Sequence, residues 1–247
     1  MDVVAGVDGL RPEHGPLFAV VGVFDGLHLG HQYLLEHLIR EADARGARPA
    51  VITFDHHPDE VLVGAAPPLL LHPDERLERL ASAGVAVTIV QHFDEAVRRT
   101  TYDAFVDLIR ARTALAGLLM TPDAAFGYER RGTPDTLATL GVRDGFDVVV
   151  VPPFTLDGRS VRSSDVRVAI GAGDLATAAA LLGRPVTIRG DLRGGVLTMP
   201  WPIALPPDGD YPCTVDGAAS VLAINAGDAT LTGMGGREGH VSVTLTA

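Results

Sequence analysis

Cysteine is nearly missing from this sequence. The single thiol, Cys213, leaves no partner for an intrachain disulfide and no cysteine-rich metal site. Long hydrophobic runs are missing too: no apolar stretch approaches the ~20 residues of a spanning helix. The start Met1-Asp2-Val3-Val4 has none of the basic character that opens a secretory signal. A soluble cytoplasmic protein is expected. Positive charge is in short supply, with a formal net charge of −11, which argues against general binding to nucleic acid or to an anionic membrane. A local group of arginines remains able to hold phosphate. There is no glycine-lysine signature of a P-loop, no dinucleotide glycine fingerprint and no internal repeat. What is present is 247 residues, 47% of them apolar, enough for a large domain with a smaller appendage.

Residues 1–15 show little periodicity and read as a leader with loose ends. Phe18 to Phe24 is a continuous apolar run, predicted as a buried strand that ends in Asp25-Gly26. Leu29 to Arg45 follows as a helix, with Leu34, Leu35, Leu38 and Ile39 on one face and Gly46 at its end. Further strands are predicted at Pro49–Phe54, Val85–Val90, Leu115–Met120 and Val148–Val151. Helices are predicted at Pro73–Ala83, at Tyr102–Arg112 and through Leu140. Alternating strands and helices with short links indicate a Rossmann-like, doubly wound parallel sheet with right-handed crossovers. In such sheets ligands bind beyond the carboxyl ends of the strands. His28, His31, Asp55, His57 and Asp123 all follow predicted strands, so they are expected on one edge.

Residues 163–182 read as two short helices split at Gly171-Ala172-Gly173-Asp174, with Asp174 as N-cap of the second. From residue 186 the composition turns to Gly, Pro, Thr and Val. Alternating runs such as Ala219–Ile224 and His240–Leu245 indicate a small all-β, barrel-like domain. A boundary is therefore placed near residue 185, giving domains 1–185 and 186–247. Roughly 60 residues is small for a barrel standing alone, so the second is expected to pack on the first or on a partner.

The stretch Val20 to His31 carries the chemistry. An apolar run ends in a glycine-rich turn with Asp25 and two histidines, His28 and His31, at the start of a helix. A helix N-terminus offers free N–H groups and the positive end of the peptide dipoles, which suits phosphate. Gly26 and Gly30 permit close backbone approach, and imidazoles can hydrogen-bond phosphate oxygens as they gain charge. The turn is read as binding a nucleoside triphosphate for nucleotidyl transfer. A metal held by His28 and His31 lacks an evident third ligand, and no metal site is expected there.

These residues resemble a known family. Gly22-Val23-Phe24-Asp25-Gly26-Leu27-His28-Leu29-Gly30-His31 is similar to the nucleotide-binding motif of the bacterial FAD synthetases, the bifunctional riboflavin kinase/FMN adenylyltransferases, within the HIGH-motif nucleotidyltransferases. Thr53-Phe54-Asp55-His56-His57-Pro58 resembles the family's Thr-Phe-Asp-Pro-His-Pro. Phe126-Gly127 with Arg130 and Gly132 resembles its Phe-Gly loop. Ser163-Ser164-Asp165-Val166-Arg167 and Ala179 to Pro185 resemble its later segments. The resemblance implies that Gly22, Phe24, Asp25, Gly26, His28 and His31 hold ATP, with Ser163, Ser164 and Arg167 closing on the triphosphate. It implies that His28, His31, Ser164 and Arg167 serve catalysis. Asp55, His57, Pro58, Asp123, Phe126 and Arg130 would lie on the acceptor side, and Mg²⁺ would accompany ATP.

The chain departs from that pattern in three places. His56 stands where the family has proline. One aromatic is lost in Thr121-Pro122-Asp123-Ala124-Ala125-Phe126-Gly127. The kinase loop Gly-Phe-Pro-Thr-Ala-Asn is absent, with Met199-Pro200-Trp201-Pro202 near its place. The expected activity is ATP plus FMN to FAD and pyrophosphate, without riboflavin kinase activity. Nucleotidyl transfer from ATP or CTP to a different phosphorylated small molecule remains open. So does an inactive paralogue that binds flavin or nucleotide.

Overall fold

In the computed structural model, residues 1–234 and 236–246 are described. Gly235 and Ala247, which belong to the expected 186–247 domain, lie outside them. In chain order the first elements are β1 (Asp2–Ala5), β2 (Leu17–Val21), α1 (Leu29–Ala44), β3 (Arg48–Phe54), α2 (Asp59–Leu62) and α3 (Pro73–Ser82). Then come β4 (Val87–Gln91), α4 (Glu95–Arg99), α5 (Tyr102–Arg110), β5 (Leu115–Met120), α6 (Pro134–Asp144) and β6 (Asp147–Val150). A small hairpin β7 (Thr155–Leu156) and β8 (Arg159–Ser160) precedes α7 (Ser163–Gly171) and α8 (Leu175–Leu182). The remainder is β9 (Thr187–Arg193), β10 (Val196–Thr198), β11 (Gly209–Val215), β12 (Ala218–Asn225), β13 (Asp228–Leu231) and β14 (Gly239–Leu245). Among the described residues no helix is long and apolar enough to cross a membrane.

The chain divides into two compact units. One comprises 1–24, 31–67 and 77–154; the other comprises 25–30, 68–76 and 155–247. The first is built on a six-stranded parallel sheet in the order β1-β4-β3-β2-β5-β6. Its central strands read as unbroken apolar runs because both faces are covered: Leu17 to Val20 and Pro49 to Thr53 are buried throughout. Its core gathers Leu17, Ala50, Ile52, Ile89, Leu118 and Leu137 with their neighbours.

The predicted helices and strands are present, with ends moved by a few residues. The first strand stops at Val21 rather than Phe24, because Phe24 has φ +53°, outside the β region. Residues 1–15 are not a loose leader. Asp2–Ala5 is the edge strand of the sheet, in parallel register with Val87–Val90. Only Val4 of that strand is buried, so no apolar pattern announced it; backbone pairing holds it.

Gly117 of β5 shows how closely this sheet is filled. A Cβ at that position would lie 2.8 Å from the Asp147 carbonyl and against the Phe18 ring. Gly117→Ala is expected to lower the unfolding free energy by about 2 kcal/mol through overpacking, read as a shifted denaturant midpoint.

The second unit contains a closed antiparallel barrel in the order β10-β13-β12-β11-β14-β9. Its alternating strands turn Ile188, Leu192, Val215, Leu222, Ile224 and Val243 inward. Cys213 is buried among them as a small apolar side chain. Closure removes the open edges that six short strands would otherwise present. α7 and α8 pack together in this unit, and the Asp174 side chain accepts from Thr177 N–H at 3.0 Å, capping α8 as the sequence predicts.

Candidate functional site

The strand order of the parallel sheet reverses at β2, with β3 on one side and β5 on the other. The chain leaving β2 therefore leads to β3 on one side and the chain leaving β5 leads to β6 on the other, which is where open α/β sheets form a crevice. A cavity of about 650 Å³ lies at that point in the first unit. β2 and its extension contribute Val20 to Val23, and β5 contributes Leu118 to Met120. Phe54, His57, Pro58, Phe126 and Arg130 complete much of the wall. Most of the lining is apolar; its polar points include His57, Arg98 and Arg130 together with the carboxylates of Asp59 and Glu129. Phe126 is fixed from behind by an edge-on contact with Phe105, centroids 5.8 Å apart. Its backbone pairs with Gly132, which donates to the Phe126 carbonyl at 2.9 Å. Gly127 at φ +77° lies so close to Tyr102 N that no Cβ fits. That is why Phe-Gly is needed in this loop.

Two carboxylates of the predicted acceptor side are not on the cavity wall. Asp55 turns to its neighbours: His92 Nδ1 is 2.6 Å from Oδ2 and His56 Nδ1 is 3.2 Å from Oδ1. Burial raises the Asp55 pKa, but its hydrogen bonds with His92 and His56 outweigh that and hold it low. The same contact raises His92. Asp123 accepts from Thr121 Oγ1 at 2.9 Å, and its carbonyl accepts from Arg130 at 3.3 Å. It braces the loop that carries Phe126.

Beyond Gly22 the backbone is strained. Phe24 (φ +53°), Gly26 (φ +82°) and Leu27 (φ +41°) all occupy the left-handed region. For the two non-glycine residues this costs of the order of 1–3 kcal/mol each and persists only where the surroundings enforce it. In the first unit Thr53 Oγ1 donates to the Val23 carbonyl at 2.9 Å, and the Phe24 ring stacks obliquely on His31 at 5.0 Å. At Gly22 a Cβ would meet the Phe24 ring at 3.0 Å.

In the second unit the segment from Asp25 to Gly30 is gripped from several sides. Arg184 donates to the Gly26 carbonyl at 2.6 Å and the Leu27 carbonyl at 3.3 Å. Ser163 Oγ donates to the Asp25 carbonyl at 2.9 Å. The Asp25 carboxylate, 3% exposed, accepts from Leu70 N–H at 2.9 Å and from Arg167 at 2.5 Å. Burial raises the Asp25 pKa, with Arg167 and the Leu70 amide opposing. Arg167 also donates through Nε to the Pro68 carbonyl at 2.7 Å. Ser164 is exposed in the first turn of α7. His28 is buried, and its pKa is lowered to about 4, first by burial and then by the charges of Arg184 and Arg167. At neutral pH it is an uncharged imidazole. A Cβ on Gly30 would sit 3.2 Å from that ring, so glycine keeps the helix start close to it.

The structure thus gathers Asp25, Gly26, His28, Ser163 and Arg167 in one unit, and Gly22, His57, Pro58, Phe126 and Arg130 around the cavity of the other. Sequence reasoning gave Arg184 and His92 no role. Arg184 is visible as the cation after the α8 terminator Gly183, but its partners in the histidine turn, Gly26 and Leu27, lie more than 150 positions away.

A doubly wound sheet with its cavity at the switch point, followed by a strained histidine turn, defines an α/β protein whose candidate ligand site lies beyond the strand ends. The comparisons narrow that class. Residues 10–165 match the family model described as FAD synthetase. The chain is 34% identical over 196 residues to the bifunctional riboflavin kinase/FMN adenylyltransferase of Pseudomonas fluorescens, covering 79% of this chain and 63% of that protein. It therefore spans less than two thirds of that relative's length. It is 31% identical over 241 residues to the enzyme of the same description from Escherichia coli K12, covering 95% of this chain and 77% of that one. A crystal structure of a macrolide-efflux protein from Streptococcus pneumoniae superposes with a TM-score of 0.82 at 20% identity, covering 99% of this chain and 90% of that one, and so shares the fold. The chain belongs to the FAD synthetase family.

Proposed function

We propose that this protein transfers the adenylyl group of ATP to FMN, giving FAD and pyrophosphate, and that it does not phosphorylate riboflavin. The reading is carried by the apolar cavity at the β2/β5 switch point, within the region that matches the family model. Its volume and aromatic wall suit a flat, fused ring system. Phe126 offers a face for stacking. His57 and Arg130 are positioned as polar points for a phosphorylated acceptor, with Pro58 shaping the wall and Asp55 and Asp123 bracing the loops behind.

The Gly22–His31 turn, with Ser163, Ser164 and Arg167, is assigned to ATP. An oxygen of the FMN phosphate attacks the α-phosphorus in line. A phosphorus–oxygen bond forms, the bond to the β-phosphate oxygen breaks, and the electron pair leaves on pyrophosphate. No side-chain nucleophile and no redox change are needed. Neutral His28 donates an N–H group to oxygens that gain charge, as does His31, Ser164 adds a hydroxyl, and Arg167 lends a fixed cation. Mg²⁺ accompanying the nucleotide would be held mostly by phosphate and water and would offset charge on the triphosphate.

Loss of the kinase loop at Met199–Pro202 supports the absence of kinase activity, with the barrel serving as scaffold. The test is pyrophosphate release with ATP, Mg²⁺ and FMN, alone and combined. Release that requires all three, with FAD as product and no FMN formed from riboflavin, is expected. ATP binding without FMN-dependent turnover overturns the assignment. Phe126→Ala is expected to raise the KM for FMN about tenfold by removing the stacking face, with the KM for ATP unchanged.

A further inference from the structure

At the ends of β3 and β4 lies a second cluster of ligand-bearing side chains, which the proposed adenylyl transfer does not use directly. We propose that Asp55, His56 and His92 form a binding site for one late first-row divalent cation, of the zinc, cobalt or nickel class.

The three residues come from adjacent parallel strands. Asp55 and His56 follow β3 directly, and His92 follows β4, with Phe54 paired opposite Gln91. The backbone is tied at that point. Asp55 N–H donates to the Gln91 carbonyl at 3.2 Å, and Phe93 N–H donates to Asp55 Oδ1 at 3.3 Å. His56 N–H also donates to Oδ1, at 2.8 Å. The carboxylate is thereby oriented before any ion arrives, with His92 Nδ1 2.6 Å from Oδ2 and His56 Nδ1 3.2 Å from Oδ1. One ligand atom from each residue lies within 4.8 Å of the other two. Bonds of ~2.0–2.1 Å in a tetrahedral site put neighbouring ligand atoms roughly 3.3 Å apart. The separation of His56 Nδ1 from Oδ1 is of that size, and that of His92 Nδ1 from the other oxygen, Oδ2, needs a small opening. The two rings stand nearly perpendicular, centroids 5.9 Å apart, on either oxygen of the same carboxylate.

The donor set decides the ion. Two imidazoles and one carboxylate favour zinc, cobalt or nickel over magnesium or calcium, which prefer all-oxygen shells. The side chains are 32% (Asp55), 41% (His56) and 64% (His92) exposed, which gives an entry path and leaves further positions to water. His56 is the residue that replaces proline in the family-like motif, so the second imidazole belongs to this chain's own departure. The next residues, His57 and Pro58, line the cavity. An ion on His56 would therefore stiffen one wall of it.

The test uses the full chain, free of any histidine tag and stripped with a chelator, titrated calorimetrically with zinc chloride and, separately, magnesium chloride. Cobalt chloride is followed by its visible absorption. One equivalent of zinc is expected, with cobalt giving d–d bands and magnesium giving no comparable heat. His56→Ala and His92→Ala should each weaken zinc binding at least about tenfold, and His240→Ala should leave it unchanged. His92→Gln keeps a hydrogen bond to Asp55 without the imidazole, so it reads the same loss with packing retained. Equal zinc affinity and stoichiometry in the His56 and His92 variants overturns the site. So does magnesium binding as tightly as zinc. Because the readout is binding, failure here is distinct from failure of the adenylyl-transfer reading.

Discussion

Replacing His28 with alanine is expected to slow FAD formation about a hundredfold at saturating ATP and FMN, since loss of one preorganised donor to a developing oxyanion costs about 10²–10³ in kcat. His28 sits in a buried place beside Arg184 and Arg167, and its pKa of about 4 keeps it neutral through the physiological range. It therefore stays uncharged between neutral pH and pH 5, as the proposed role of a fixed N–H donor requires. Its donor strength should matter most as charge builds on the phosphoryl oxygens, so kcat falls while the KM for ATP changes little. Pyrophosphate release measured for the variant checks this, and a variant that keeps a tenth or more of the native rate refutes the role.

The same group supplies an independent readout in stability. Its folded pKa lies below the unfolded value of 6.5, so the unfolded chain binds more protons in between. His28's contribution is complete above pH 6.5 and is lost as pH falls towards about 4. Over that window the native protein should lose of the order of 3 kcal/mol relative to His28→Gln. Denaturant unfolding at several pH values, native against variant, measures it. A difference that does not change with pH overturns the buried neutral imidazole.

Arg167→Ala is expected to lower the unfolding free energy by about 3 kcal/mol, the loss that follows when one partner of a buried ion pair is removed. The reason is Asp25. Its carboxylate is buried, and Arg167 is its charged partner at 2.5 Å. Without the guanidinium, a buried charge keeps the Leu70 and Leu71 amides and the charge of Arg76 but loses its hydrogen-bonded cation. Asp25→Asn in the Arg167→Ala background should recover much of the loss, because the amide still offers an oxygen to those N–H groups and carries no charge.

The pH dependence of this variant follows from Asp25. Burial has raised its folded pKa above the unfolded value, and loss of Arg167 raises it further. A raised carboxyl stabilises at low pH and loses that stability as pH rises through its folded pKa. The gap between native protein and Arg167→Ala should therefore be wider at pH 7.5 than at pH 4. Chemical unfolding of the native, single and double variants at both pH values decides it. A double variant no more stable than the single one would remove Asp25 from the explanation.

Much of the fold was legible locally. The apolar runs Leu115–Met120 and Pro49–Phe54, the helix ending near Gly46 and the split at Asp174 are all written in neighbouring residues. Burial pattern, terminators and caps act over a few positions. The alternating runs of the C-terminal segment likewise announced strands, since a half-buried strand repeats every two residues. β1 escaped because a short edge strand with one buried side chain leaves no such pattern, and its partner Val87 lies far along the chain.

The histidine turn was equally legible: apolar strand, glycines, Asp25, His28, His31, then a helix. By itself the sequence determined that such a turn exists and that a parallel sheet leads into it. Only the tertiary structure decided what holds it. Asp25 meets Arg167 across 142 positions, Gly26 meets Arg184 across 158, and Asp55 meets His92 across 37. Local patterning reports which face of an element is buried, whereas these polar contacts exist only because the fold brings distant segments together. A buried carboxylate in a strained turn persists because its partners arrive from elsewhere in the chain, and nothing in the residues beside Asp25 specifies them.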